Sequence, residues 1–125
     1  MTEHDGLIDA YLAAWNETDP AARRDLIARA WTEDARYLDP MLSAEGRDGI
    51  AAMVEAVQAR FPGHRFRRAG GAADGHHDRL RFGWELAPGA GRPPVVRGVD
   101  FATLSADGRR LRSVTGFFDA APAAA

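Results

Sequence analysis

Hydrophobic positions recur with helical spacing three times in the first half of the chain and alternate in the second half. Leu7, Ile8, Tyr11, Leu12 and Trp15 fall at i, i+1, i+4, i+5 and i+8, one face of a helix from about Glu3 to Asn16. Asp19-Pro20 supplies an N-cap followed by proline at the first helical position. A second helix, roughly Pro20 to Trp31, then buries Leu26, Ile27 and Trp31. Asp48 is placed to cap a third helix, in which Ile50, Met53, Val54, Val57 and Phe61 share a face, and Pro62-Gly63 stops it.

The other segments read as strands and turns. Ala35-Arg36-Tyr37-Leu38-Asp39 is a short strand, followed by a loop from Met41 to Arg47. His64 to Arg68 is extended and leads through a Gly/Ala loop to Gly75. From His76 to Leu86, the apolar Leu80, Phe82, Trp84 and Leu86 alternate with Arg79, Arg81, Gly83 and Glu85, the period of a half-buried strand. Val95 to Ser105 and about Arg110 to Asp119 follow, joined by the hairpin turn SADGR. Helix, helix, short strand, helix and four strands predict an α+β fold, with three N-terminal helices on a curved, mainly antiparallel sheet. One domain is expected over 1–119, with a flexible C-terminal tail over 120–125.

At 125 residues, 46% hydrophobic and 27% charged, the composition is that of a soluble globular domain. No apolar run approaches the ~20 residues that cross a bilayer. The acidic start MTEHD lacks the basic region of a secretory signal, so a cytoplasmic location is expected. A formal charge of -2 predicts no nucleic-acid partner. The Ala, Arg, Gly and Asp bias points to a GC-rich bacterial genome. There is no cysteine, which removes disulfides, thiolate metal sites and a thiol nucleophile. All 16 basic residues are arginine, so lysine Schiff-base chemistry is excluded.

Two aspartates stand out against this pattern. Asp39 shares a strand face with Ala35 and Tyr37, the face that looks inward, and Pro40 stiffens the turn after it. Asp100 alternates with Val96, Gly98, Ala102 and Leu104, leaving Val95, Arg97, Val99, Phe101 and Thr103 for the other side. Because Arg97 demands solvent, Asp100 is read as inward. Val95, Val99 and Phe101 then form an apolar outer face suited to a homodimer. Tyr11 lies on the apolar face of the first helix, so a phenol and two carboxylates can meet in one cavity. Burial raises the pKa of a carboxylate, and an acid near neutrality serves as a general base or as a neutral donor. The plainer alternatives stay open: Asp39 as a turn former before proline, Asp100 as a satisfied structural acid, Tyr11 as core.

The segments AYLAAW, WTEDARYLDP, GRDGIAAM, RGVDFATLSADGR and VTGFFD together resemble the nuclear transport factor 2-like superfamily, in its SnoaL-like (polyketide cyclase-like) and ketosteroid isomerase-like branch. The resemblance spans nearly the whole chain, making 1–119 a single SnoaL-like domain. It implies a cystatin-like cone of sheet closed by three helices. It also implies that Asp39 matches the general base of ketosteroid isomerases, and that Tyr11 and a protonated Asp100 match their oxyanion hole. No cofactor is implied. The connection NETDPAARRD is longer than in those isomerases, and the His-rich GHHDRLRFGW is not one of their features.

Trp15, Phe61, Phe82, Trp84 and Phe118 are the candidate lining of an apolar ligand pocket, with Gly98 and Gly116 leaving room for the ligand. His76 is a candidate polar group at its mouth. His76 and His77 are read as neighbours on one strand, facing opposite ways, so GHHD is not a metal site. An epoxide-hydrolase arrangement needs an arginine and an acid on one strand face, which Arg97 and Asp100 do not provide. Two functions remain. One is a cofactor-independent isomerase or cyclase acting on a hydrophobic ketone. The other is a non-catalytic module that binds a small hydrophobic molecule or dimerises.

Overall fold

The computed structural model describes residues 4–89 and 91–120. Three helices lie on one face of a mixed, open, curved sheet, six-stranded among the described residues. The helix α1 (Asp5–Asn16) buries Ile8, Tyr11, Leu12 and Trp15 as its spacing requires; its expected start at Glu3 lies outside the described residues. The helix α2 (Pro20–Ala30) begins at its proline, and Asp19 caps it by accepting the N–H of Ala22 at 2.9 Å. Trp31 is not the end of this helix. It takes an extended conformation and opens strand β1 (Trp31–Leu38).

The segment expected to be a loop contains β2 (Ser43–Glu45), which pairs antiparallel with β1 through Arg36–Glu45, Tyr37–Ala44 and Leu38–Ser43. The helix α3 (Gly46–Arg60) follows directly. Asp48 sits in its first turn and pairs with Arg24 at 2.7 Å instead of capping it. The Gly/Ala loop is part of one long strand, β3 (Arg65–His76), irregular between Ala69 and Asp74. Gly70 and Gly71, with φ of 77° and 89°, bend that strand without ending it. The strand expected from His76 is broken by a turn at His77, whose φ is 53°, and β4 (Arg79–Ala87) begins beyond it. Alternation alone does not mark this turn, because no glycine or proline occupies it. β5 (Val96–Leu104) and β6 (Leu111–Ala120) flank the SADGR turn, closed by Ser105 N–H to Arg110 O at 2.8 Å. Residues 121–125 of the expected tail lie outside the described residues.

The strand order is β2-β1-β6-β5-β4-β3. Every pair is antiparallel except β1–β6, which is parallel, so the chain returns after its excursion through β3, β4 and β5 to lie beside its first strand. Polar clamps fix the helices. Asn16 exchanges two hydrogen bonds with the backbone of Phe66, at 2.8 and 2.7 Å, and ties the end of α1 to β3. The buried Arg23 is satisfied by the carbonyls of Glu17 and Thr18 and by Gln58 Oε1. Unpaired, such a charge would be costly. No helix among the described residues is long and apolar enough to cross a membrane.

Candidate active site

The hydrogen-bond register places the two aspartates together. β5 pairs with β6 so that Asp100 faces Gly116, and β6 pairs with β1 so that Gly116 lies just beyond the Leu38–Thr115 pair, next to Asp39. A side chain at 116 would crowd them. A Cβ there would lie 2.9 Å from Asp100 Oδ1, 3.2 Å from Asp39 Cβ and 3.4 Å from the Tyr37 hydroxyl. Gly98 serves the same site differently. A Cβ at 98 would stand 2.5 Å from Trp84 Cζ2, so the bare backbone lets the indole lie flat and reach Asp100. The space at both glycines is thus taken by Trp84 and the two acids, not by open volume for a ligand.

The surroundings of the acids differ. Asp100, 2% exposed, accepts from the Tyr11 hydroxyl at 2.7 Å on Oδ2 and from Trp84 Nε1 at 3.0 Å on Oδ1. Burial pushes its pKa up to about 7; the two donors oppose that rise, and the nearby Asp39 charge adds to it. Tyr11 is held well above its ordinary value by burial and by the adjacent Asp100, and Tyr37 is likewise raised, first by burial and then by Asp100. Asp39 has a donor-rich environment, unlike the bare apolar one expected. Oδ1 accepts the N–H groups of Met41 and Leu42, each at 2.8 Å, and Oδ2 accepts the Tyr37 hydroxyl at 2.7 Å. With Asp39 N–H donating to Leu42 O at 2.9 Å, these bonds close the turn between β1 and β2. The aspartate therefore does form the turn, while its second oxygen faces the site.

Both acids open onto an apolar cavity of about 480 Å³ between α1, α3 and the sheet. Tyr11, Trp15, Phe61, Trp84 and Phe118 of the expected set line it, together with Phe66 and Leu86. Two expected residues do not reach it. Phe82 is buried behind Tyr11, with ring centroids 5.5 Å apart. His76 is exposed at the end of β3, away from the cavity lining. There the turn brings it beside His77, Nδ1 to Nδ1 at 3.1 Å, instead of facing it away. Tyr37 was not singled out from the sequence. Its signal was present, since a tyrosine two residues before Asp39 on one strand shares its face. The sequence marks Trp84 only as lining, because its bond to Asp100 depends on β4–β5 register, which no local pattern encodes.

The elevated Asp100 pKa has a sign that can be measured. Between pH 4 and 7 the folded protein holds a proton on Asp100 that the unfolded chain has released. The unfolded state binds fewer protons there, so this group's contribution to stability falls as pH rises through that window. Asp100→Asn keeps an acceptor for Trp84 and a donor toward Tyr11 but removes the titration. In urea unfolding, the stability of Asp100→Asn relative to wild type should increase from pH 4.5 to pH 7. An unchanged difference would show that Asp100 ionises normally in the fold.

A family profile described as "SnoaL-like domain" matches residues 8–112. No functionally curated protein matches the chain. Among solved structures, a candidate isomerase of the SnoaL-like family from Agrobacterium tumefaciens is similar at 46% identity and a TM-score of 0.86, covering 95% of this chain and 99% of that one. A candidate SnoaL-like polyketide cyclase from Jannaschia sp. shares 18% identity at a TM-score of 0.66, covering 95% and 90%. An NTF2-like protein of unknown function from Exiguobacterium sp. shares 21% at 0.70, covering 90% and 98%.

Proposed function

The chain belongs to the SnoaL-like domain family, and from that membership and the unlike pair of acids we propose that it moves a proton next to the carbonyl of a small apolar ketone, as an isomerase or cyclase without a cofactor. The observation that carries this reading is the division of labour around Gly116. An ionised carboxylate offers about four acceptor positions. Three at Asp39 are occupied, and the one left, on Oδ2, belongs to an acid that lines the cavity. Asp39 therefore acts as the base, taking the proton from the carbon next to the carbonyl.

Asp100 acts in its neutral form. The indole N–H of Trp84 can only donate, and it occupies Oδ1, which leaves Oδ2 for the acid proton. That O–H donates a hydrogen bond to the Tyr11 oxygen 2.7 Å away while keeping its proton, and the phenol O–H turns to donate to the developing enolate oxygen. Asp39 returns its proton to carbon at the same or the conjugated position, so no proton is lost or gained. The test is incubation with a panel of β,γ-unsaturated ketones in deuterated buffer, followed by NMR. Deuterium appearing next to the carbonyl, or formation of the conjugated enone, supports the reading; no exchange with any panel member rejects it.

One observation favours the alternative, a non-catalytic ligand-binding module: Asp39 Oδ1 is fully engaged in closing a turn, as a purely structural aspartate would be. Either protein would be a homodimer through the outer sheet face. Leu38 and Phe117 are 55% and 57% exposed and Phe101 40%, and the register sets Phe117 beside Val99 and places Thr115 between Leu38 and Phe101. Val95 is not part of this patch, since it packs against the core. Light scattering should give twice the chain mass at micromolar concentration, and Phe117→Glu should halve it. A wild-type monomer would exclude the interface.

A further inference from the structure

The cavity is closed by acids at its floor and carries one cation at its rim. Among the described residues that line it, Arg60 is the only basic one. Its side chain is exposed, and no hydrogen bond or ion pair engages it among the described residues. Its place in the last turn of α3 suits a positive charge, because the helix ends there in unpaired carbonyls. That accounts for a basic residue near the end of the helix, but not for one facing an apolar cavity with no carboxylate beside it. Other arginines near the site are engaged: Arg67 pairs with Glu85 at 2.6 Å and Arg68 with Asp5 at 2.9 Å.

We infer that the ligand is amphipathic, an apolar carbonyl compound with a carboxylate at the end remote from the carbonyl, and that Arg60 binds this carboxylate. The inference rests on the carbonyl-binding reading of the floor and adds the chemistry of the other end. Electrostatics fixes the orientation. A carboxylate cannot enter beside Asp39, the base of that reading, where like charges would meet in a dry site. At the rim the planar guanidinium offers it paired donors. Between the two ends, Trp15, Val57, Phe61 and Phe66 supply an apolar wall for the body of the molecule.

The test compares 6-phenylhexanoate with 6-phenylhexanamide at pH 7.5, using quenching of the tryptophans that line the cavity, Trp15 and Trp84. The carboxylate should bind about fivefold more tightly than the amide, the range expected of a partly solvated charge pair. Arg60→Gln should remove the difference by weakening only the carboxylate, and Arg60→Lys should retain part of it. Equal binding of the two compounds, or a preference that survives Arg60→Gln, overturns the inference. Neither compound has a ketone, so these results say nothing about proton transfer, and absence of deuterium exchange leaves the carboxylate preference standing. Binding of neither compound would refute both the rim contact and the ligand cavity itself.

Discussion

Asp39→Asn is expected to fold as the wild type does and to lose about 10²–10⁴-fold in the turnover of any ketone the protein accepts, the typical contribution of a positioned general base. The separation of folding from activity follows from the bonds at this residue. Asparagine keeps an oxygen for the N–H groups of Met41 and Leu42, so the turn between β1 and β2 closes as before. Its amide nitrogen falls opposite the Tyr37 hydroxyl, which can rotate and accept instead of donate. What disappears is the single free acceptor position with proton affinity. Rates of enone formation with thermal melts on the same preparations check the expectation. Full activity in Asp39→Asn would move the base elsewhere, with Asp100, near neutrality, the next candidate. A variant that fails to fold would mean that the aspartate is there for the turn.

Gly98→Ala is expected to destabilise the sheet and to disturb the site. The added carbon would sit 2.5 Å from the carbonyl oxygen of Phe117 and 2.5 Å from Trp84 Cζ2. The first contact is backbone and cannot rotate away. The second is the indole whose nitrogen is bonded to Asp100 at 3.0 Å. Overpacking of this kind costs about 1–3 kcal/mol and occasionally more, which for a domain of this size lowers Tm by roughly 4–12 °C. The relief open to the protein is to lift the indole, so Trp84 should lose its bond to Asp100 and its emission should shift to the red. Calorimetry and fluorescence would check both. A Tm within about 2 °C of wild type would mean that the strands part at little cost, and that close approach is not why position 98 is bare.

Much of this site was legible in the sequence, for a local reason. Helical spacing placed Tyr11 and Trp15 on one face of α1, and period-two alternation put Asp39 and Asp100 on the inner side of their strands. Each inference needed only neighbours within a few residues. What was not legible depends on which strands lie side by side. The parallel pairing of β1 with β6 makes Gly116 the meeting point of the two acids, and nothing near residue 39 or 116 announces it. The short β2 was missed because three residues are too few for a period to show. The histidines were misplaced because a polar turn without glycine or proline continues the alternation on either side.

The parallel pairing also sets the order of events during synthesis. β1 has two neighbours, the three-residue β2 and β6, and β6 begins only at Leu111. While the chain is emerging, the carboxylate of Asp39 stands at the end of a two-stranded hairpin, a structure marginal in water. The later strands can zip together as neighbours in sequence, β3 with β4, β4 with β5 and β5 with β6. β1 must wait and then be captured by a strand that begins only at Leu111, a long-range closure whose entropic cost makes such topologies slow to fold. Helix α1 precedes β1 and α3 follows it closely, yet the cavity they cover has no complete floor until the last strand arrives. The two aspartates meet only at that final step, so a chain that stalls before β6 holds every residue of the candidate catalytic set and none of its geometry.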